Sequence, residues 1–177
     1  MEEKQQKFKE IRSGLSSNDT KILTSTLQEV KKSGSSVLIA ELVGLLRRTN
    51  KKEVKNQILE ILNNLKSQAS AKELAQAIRK NKQRSLLSHL VAACWKNGLD
   101  YTEFIDDFID VFIQHDYLIA LDAFTVIENS TRYLPGDSLE PRIDRLKNHV
   151  SEMDDNKKVL TRELIYILRK KTEDQSE

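Results

Sequence analysis

The chain has 177 residues, of which 32% are charged and 6% aromatic; this composition is typical of long helices with solvated outer faces and excludes a β-sandwich. The single cysteine, Cys94, excludes an internal disulfide and a zinc site made of several cysteines. The net charge is only +2, but residues 1–100 contain 19 Lys and Arg against 10 Asp and Glu, and residues 101–131 contain seven acids and no Lys or Arg.

The N-terminal residues, MEEKQQKFKEIR, are polar and lack the apolar segment of a secretory signal peptide. The longest apolar stretch, 37–46, is interrupted by Glu41 and is too short to cross a bilayer. We therefore expect a soluble, cytoplasmic protein that has no membrane partner.

Apolar residues recur at helical spacing along the whole chain, and no segment shows the sustained alternation of a strand. Near the C-terminus, for example, Leu139, Ile143, Leu146 and Val150 are three or four residues apart. The pattern predicts ten helices, which are 3–13, 19–33, 36–48, 52–66, 71–80, 84–97, 101–115, 117–130, 138–152 and 156–170.

Capping residues support these bounds. Asp116 precedes a predicted helix as an N-cap, and Asp19 is placed to do the same. Asn50 and Ser70 each stand three positions before a glutamate, which is the spacing of a capping box. Gly98 follows a predicted helix end, where a left-handed residue is favoured.

The predicted helices repeat in pairs with a period of 32 to 33 residues. The units that match best are 18–49, 50–81 and 82–115. The aligned apolar positions include Ile22, Val54 and Leu86, and also Val30, Leu62 and Cys94. A fixed period of this size is typical of a solenoid, in which each unit buries its apolar face against its neighbours.

One stretch resembles a HEAT repeat of the armadillo/HEAT superfamily. Its pattern is Leu38-x3-Leu42-x2-Leu45-Leu46, then Asn50, then Val54-Lys55-x2-Ile58-x2-Ile61-Leu62-x2-Leu65. Asn50 takes the position that is usually Asp in that family, and Lys55 takes the position that is usually Arg.

The resemblance covers residues 18–170 and implies an all-α, right-handed superhelix of about five HEAT-like helical pairs. From its length, we expect the whole chain, 1–177, to form a single domain. Frayed ends are predicted at 1–5 and 171–177.

Basic residues cluster at equivalent turns one period apart. They are Arg47, Arg48, Lys51, Lys52, Lys55, Arg79, Lys80, Lys82 and Arg84. Because repeats stack in register, we expect a basic ridge along one edge of the solenoid. Such a ridge could neutralise phosphates, so nucleic-acid binding through 47–55 and 79–84 is the alternative function. The preference of helix C-termini for cations would also explain the cluster.

An acidic face is predicted on the helix 101–115, where four carboxylates fall within a narrow arc. They are Glu103, Asp106, Asp107 and Asp110. This face suits a basic partner, whereas one straight helix spreads its carboxylates too widely to surround Ca²⁺ or Mg²⁺. The basic and acidic halves could also attract each other between copies of the chain. No metal and no cofactor are predicted.

No catalytic constellation is present in the sequence. Cys94 and His89 are five residues apart on one predicted helix, about 140° round its axis, and so cannot form a nucleophile–base pair. His115 and His149 lack metal-ligand spacing, and no Gly-rich phosphate loop or serine elbow occurs. The fold also brings to mind HEAT-like DNA glycosylases, but no cluster matches their catalytic site. Neither an enzymatic activity nor a small-molecule substrate is expected.

The predicted function is a non-enzymatic protein–protein interaction scaffold or adaptor, which presents a charged solenoid surface to another protein. In such a fold the second helices of successive pairs would line a concave surface. If helices 52–66 and 84–97 line it, its polar candidates are Lys55, Asn56, Asn63, Asn64, His89 and Lys96.

Overall fold

The structure is a computed structural model and describes residues 2–33, 38–81, 83–131 and 134–174. These residues form ten α-helices with short 3₁₀ turns between some of them, and no strand, which confirms the all-α prediction. The helices are α1 Glu2–Leu15, α2 Thr20–Ser33, α3 Ile39–Arg48, α4 Lys52–Asn63, α5 Ala69–Lys80, α6 Arg84–Asn97, α7 Ile105–Gln114, α8 Tyr117–Ser130, α9 Glu140–His149 and α10 Asp155–Asp174.

The bounds of α6 and α8 are those predicted. The predicted start at residue 36 lies outside the described residues. The predicted helix 101–115 consists of a 3₁₀ turn, Thr102–Phe104, followed by α7. Helical structure extends through the described residues of both ends for which we predict fraying, because α1 begins at Glu2 and α10 ends at Asp174.

The capping predictions have mixed outcomes. The Asp116 carboxylate accepts from the Leu118 N–H at 3.2 Å, and Gly98 is left-handed with φ of 65°. The predictions for Asn50 and Ser70 are wrong. Lys51 is the N-cap of α4, and α5 already begins at Ala69, so the Ser70 side chain is buried within the first turn and caps nothing.

The chain groups into two compact units, Met1–Leu99 (unit 1) and Asp100–Glu177 (unit 2). In unit 1 the helices pack in pairs, α1 with α2, α3 with α4 and α5 with α6. The first helices of successive pairs contact one another, and so do the second helices. The second helices begin at Thr20, Lys52 and Arg84, which are 32 residues apart. The repeat in the sequence is therefore a repeat of packing within unit 1.

The core of unit 1 follows the repeat closely. Val30, Leu62 and Cys94, one from each second helix, are all buried. Ile22 departs from the pattern, since 47% of it is exposed and the neighbouring Leu23 is buried in its place.

Side chains from one helical pair bind carbonyl oxygens at the helix ends of the pair before it. The Arg48 guanidinium donates to the Leu15 carbonyl, the last residue of α1, at 2.5 Å. The Asn97 amide donates to the Leu62 carbonyl, near the end of α4, at 3.4 Å. The last carbonyls of a helix have no partner within that helix, so these contacts satisfy groups that would otherwise need water.

In unit 2, α7 pairs with α8 and α9 with α10, while α7 contacts α9 and α8 contacts α10. The aromatic rings of Tyr101 and Phe108 meet edge to face at 5.4 Å in its core. The Lys157 side chain is buried against the end of α7, where its ammonium donates to the carbonyls of Ile113 at 2.7 Å and His115 at 2.6 Å. This lysine therefore caps α7 from another helix.

None of the helices in the described part of the chain is long and apolar enough to cross a membrane.

Candidate functional site

Two residues of the predicted basic ridge hold unit 1 together. Arg48 binds the Leu15 carbonyl, as described above. Lys51 donates through its ammonium to the Asn18 carbonyl at 3.0 Å and to the Thr20 hydroxyl at 2.6 Å. Both charges are therefore occupied in fixing the turn between α1 and α2.

Four other residues of the ridge make no such contacts. Arg47, Lys52 and Lys80 are exposed, and Lys55 is half-buried. Within the described ranges none of these four has an ion-pair partner. We call Arg47, Lys52, Lys55 and Lys80 the cationic edge. Of the remaining ridge residues, Arg79 and Arg84 are exposed, and Lys82 lies outside the described residues.

The cationic edge runs along the turns at which first helices end and second helices begin. Arg47 and Lys80 lie in the last turns of α3 and α5, where a cation stabilises the helix dipole. Lys52 and Lys55 lie in the first turn of α4, where a cation destabilises it. Helix capping by charge therefore accounts for the first two residues and not for the second two.

A groove with a volume of about 210 Å³ lies between α3 and α5. Arg47 and Lys80 line it at the C-terminal ends of the two helices, and Glu73 lines it nearer the start of α5. Ala40, Gly44 and Ala77 also line the groove.

The second-helix surface of unit 1 brings three of the predicted concave-face residues together. His89 of α6 lies within electrostatic range of Lys55 of α4 and of Lys96. Burial lowers the pKa of His89, and the charges of Lys55 and Lys96 lower it further. The Trp95 ring, 40% exposed, has the Lys96 ammonium 5.4 Å from its centroid. No Asp or Glu occurs in α6.

The three asparagines predicted for the concave face belong to α4 and its end. Asn56 is exposed and Asn63 is half-buried. The Asn64 amide donates to the Glu60 carbonyl at 2.8 Å, so it closes the end of α4. Asn64 is thus occupied within the chain.

Two carboxylates of the predicted acidic face are paired inside unit 2. Arg142 binds both oxygens of Asp106, through Nε at 3.1 Å and Nη2 at 2.7 Å. Arg145 forms an ion pair with Asp110. Glu103 lies on the 3₁₀ turn before α7 and is exposed, and Asp107 is half-buried. The two arginines were not identified as partners from the sequence, although Arg142 and Arg145 are three residues apart on α9 and Asp106 and Asp110 are four apart on α7, so each pair lies on one side of its helix.

This pairing predicts a small, salt-dependent contribution to stability. Asp106 and Asp110 are about half-exposed, so we expect Asp106→Asn and Asp110→Asn each to lower the free energy of unfolding by less than about 1 kcal/mol. Urea denaturation measures this decrease in the free energy of unfolding, and high NaCl should make the decrease smaller because salt screens the ion pairs. Glu103→Gln is the matched control, since this exposed carboxylate has no ion pair within the described residues. A loss that salt does not change would contradict surface ion pairing.

The cysteine and the two remaining histidines contact or lie near groups of the protein itself. Cys94 is buried, with its thiol directed to the Leu90 carbonyl at 3.3 Å. Burial lowers the pKa of His115, with Asp116 opposing the shift and Lys157 adding to it. His149 Nδ1 lies 2.9 Å from the Arg145 carbonyl. In the described part of the chain, no three His, Cys, Asp or Glu side chains come close enough together to hold a metal ion.

Comparison with known proteins adds no assignment. No protein-family model matches the sequence, and no curated protein matches it.

Proposed function

We propose that the protein is a non-enzymatic interaction module built from HEAT-like helical pairs, and that its cationic edge binds an acidic segment of another protein. The proposal includes a right-handed superhelical arrangement of the pairs and a cytoplasmic location. The pairwise packing and the 32-residue spacing of the second helices in unit 1 support the repeat assignment.

The observation that carries the proposal is the placement of Lys52 and Lys55. Both are cations in the first turn of a helix, and neither has an ion-pair partner in the described residues. This placement opposes helix stability, and Glu53 in the same turn offsets only part of the charge, so the helix dipole gives no reason for two lysines there. A bound acidic ligand would turn the unfavourable interaction of these lysines with the helix dipole into a favourable arrangement, because its carboxylate is attracted both to the lysines and to the helix N-terminus.

The charge of the two units supports the same reading. Unit 1 has 19 Lys and Arg and 9 Asp and Glu, a net charge of +10, whereas unit 2 has 10 and 18, a net charge of −8. Unit 1 therefore attracts acidic partners over a distance and raises the rate at which they associate.

A binding measurement tests the proposal. A labelled glutamate-rich peptide is titrated with the protein, and fluorescence anisotropy gives the dissociation constant at low and high salt. The charge reversal Lys52→Glu with Lys55→Glu should weaken binding at least about tenfold. The matched control is Lys32→Glu with Lys66→Glu, which makes the same charge change at two exposed lysines that lie outside the first turn of any helix and belong neither to the edge nor to the groove. If both double variants lost the same affinity for the peptide, binding would depend on the overall charge of unit 1 and not on Lys52 and Lys55. That result would refute the proposal.

A second candidate function is binding of single-stranded nucleic acid on the second-helix surface. The exposed Trp95 beside Lys96, with Lys55 on the adjacent helix α4, combines a ring on which a base stacks with cations that contact phosphates. An oligothymidylate of similar length and label to the peptide discriminates the two. Tighter binding of the oligonucleotide than of the peptide, lost in Trp95→Ala, would favour this candidate.

A further inference from the structure

The groove between α3 and α5 contains an unusual residue. Gly44 lies in the interior of α3, where glycine is less stable than alanine because it loses more conformational freedom on folding. A Cβ added at Gly44 would meet only the Arg48 Nη1 atom, at 3.9 Å, which is ordinary contact with the end of a flexible side chain. Packing among the described residues therefore does not require glycine at this position.

Gly14, in the same unit, is a position where packing does require glycine. A Cβ added at Gly14 would lie 2.9 Å from Cγ2 of Thr26 and closer still to its hydroxyl oxygen. Close approach of α1 and α2 explains that glycine. No comparable neighbour explains Gly44, but Gly44 lines the groove, where the absence of a side chain leaves room for a ligand.

The charges around the groove define what would fit it. Arg47 and Lys80 approach it from two different helices, and neither has an ion-pair partner in the described ranges. Glu73 lies seven residues before Lys80 on α5, about 10 Å along the helix axis. A bound segment would therefore be oriented, with its carboxylates directed towards Arg47 and Lys80 and away from Glu73.

We infer that this groove docks an acidic peptide segment, which places one apolar side chain over Gly44 while its carboxylates pair with Arg47 and Lys80. The inference rests on the proposed function and narrows it, since it names the kind of segment that is recognised and the residue that gives room for it. Ala40 and Ala77, with small apolar side chains, flank Gly44 in the lining. A groove of about 210 Å³ holds a single side chain rather than a drug-sized ligand.

The test compares two labelled peptides, one with a leucine flanked by aspartates and one with serine in place of that leucine. Wild type should bind the leucine peptide at least about fivefold more tightly. Gly44→Leu fills the groove and should abolish that preference, and Gly44→Ala should reduce it. Arg47→Gln with Lys80→Gln should weaken both peptides by about tenfold or more.

The melting temperature of each variant shows whether a loss of binding comes from unfolding. Gly44→Ala should have a melting temperature equal to or above that of wild type, because alanine is the better helix former. Lost binding in a variant of undiminished stability therefore reports the groove and not unfolding. Equal binding of the two peptides by wild type, or an unchanged preference in Gly44→Leu, would overturn the inference.

The outcomes separate this inference from the proposed function. Binding that is lost in the Lys52 and Lys55 double reversal but unaffected by the Gly44 and Arg47–Lys80 variants would refute the groove, and the proposed function would then stand on Lys52 and Lys55 alone. If neither peptide binds wild type, both proposals fail. If an oligothymidylate competes with the leucine peptide and its affinity also falls in Gly44→Leu, the groove takes nucleic acid and the peptide inference is wrong.

Discussion

Replacing Lys157 with methionine is expected to lower the free energy of unfolding by about 2 to 4 kcal/mol. The lysine is only 5% exposed, and its ammonium donates to the Ile113 carbonyl at 2.7 Å and the His115 carbonyl at 2.6 Å. Methionine retains most of the apolar stem but leaves both carbonyls without this donor. It also removes the cation that favours the negative C-terminal end of α7 and lies 5.9 Å from the Phe112 ring centroid.

The neighbouring lysine provides the control. Lys158 makes an exposed pair with Asp155 at 3.3 Å, so Lys158→Met should cost less than about 0.5 kcal/mol. Urea denaturation of the three proteins measures the difference. A Lys157→Met variant as stable as wild type would show that the burial of the charge costs as much as its hydrogen bonds contribute.

The same lysine gives a pH dependence with a definite sign. Burial lowers the pKa of Lys157 below its ordinary value of 10.5, and the charges of Asp154 and Asp116 oppose the shift. The unfolded chain therefore holds this proton more tightly than the folded chain does. The contribution to stability rises with pH in the alkaline window between the lowered pKa and 10.5. The difference in stability between wild type and Lys157→Met should widen over that window.

Gly14→Ala is expected to destabilise the protein by about 2 kcal/mol, although alanine is the better helix former. The new Cβ would overlap the side chain of Thr26. Thr26 cannot rotate away without cost, because its hydroxyl donates to the Ile22 carbonyl at 2.8 Å and the residue is nearly buried. Either α1 and α2 must then move apart, or Thr26 must rotate and lose its hydrogen bond to the Ile22 carbonyl.

Gly44→Ala is the matched comparison, since it makes the same chemical change inside another helix where a Cβ has room. Thermal or urea denaturation should therefore give opposite signs for the two variants. If both variants lost similar stability, close helix contact would not be the reason for Gly14.

The helices and the core of unit 1 were predictable from local rules. Apolar spacing placed α6, and likewise α8 of unit 2, to the residue, and the left-handed Gly98 marks the end of α6 while the Asp116 cap marks the start of α8. The repeat placed Cys94 in the core. It misplaced Ile22, because one residue is about 100° of helix rotation and the pattern tolerates either Ile22 or Leu23 facing inward.

The candidate site was predictable only in part. The sequence shows where basic residues cluster, but Arg47 and Arg48 are adjacent and differ only in which way they point. The acceptor that occupies Arg48 is a backbone carbonyl 33 residues away, and composition and spacing carry no information about backbone acceptors. The pairing of Asp106 with Arg142 depends on α9 lying beside α7, which is a tertiary contact. The groove between α3 and α5 could not be predicted either, because it also depends on which helices pack against each other.

The donors that reach back to a preceding helix end are expected to couple the folding of successive helical pairs in unit 1. The Leu15 carbonyl loses its side-chain donor when Arg48 moves away, and the Leu62 carbonyl loses its donor when Asn97 does. A helical pair that opens therefore weakens the pair before it, even where no apolar contact is lost. Amide hydrogens at the ends of α1 and α4 consequently report on the folding of later pairs, and a ligand that holds α3 against α5 protects backbone that it never touches.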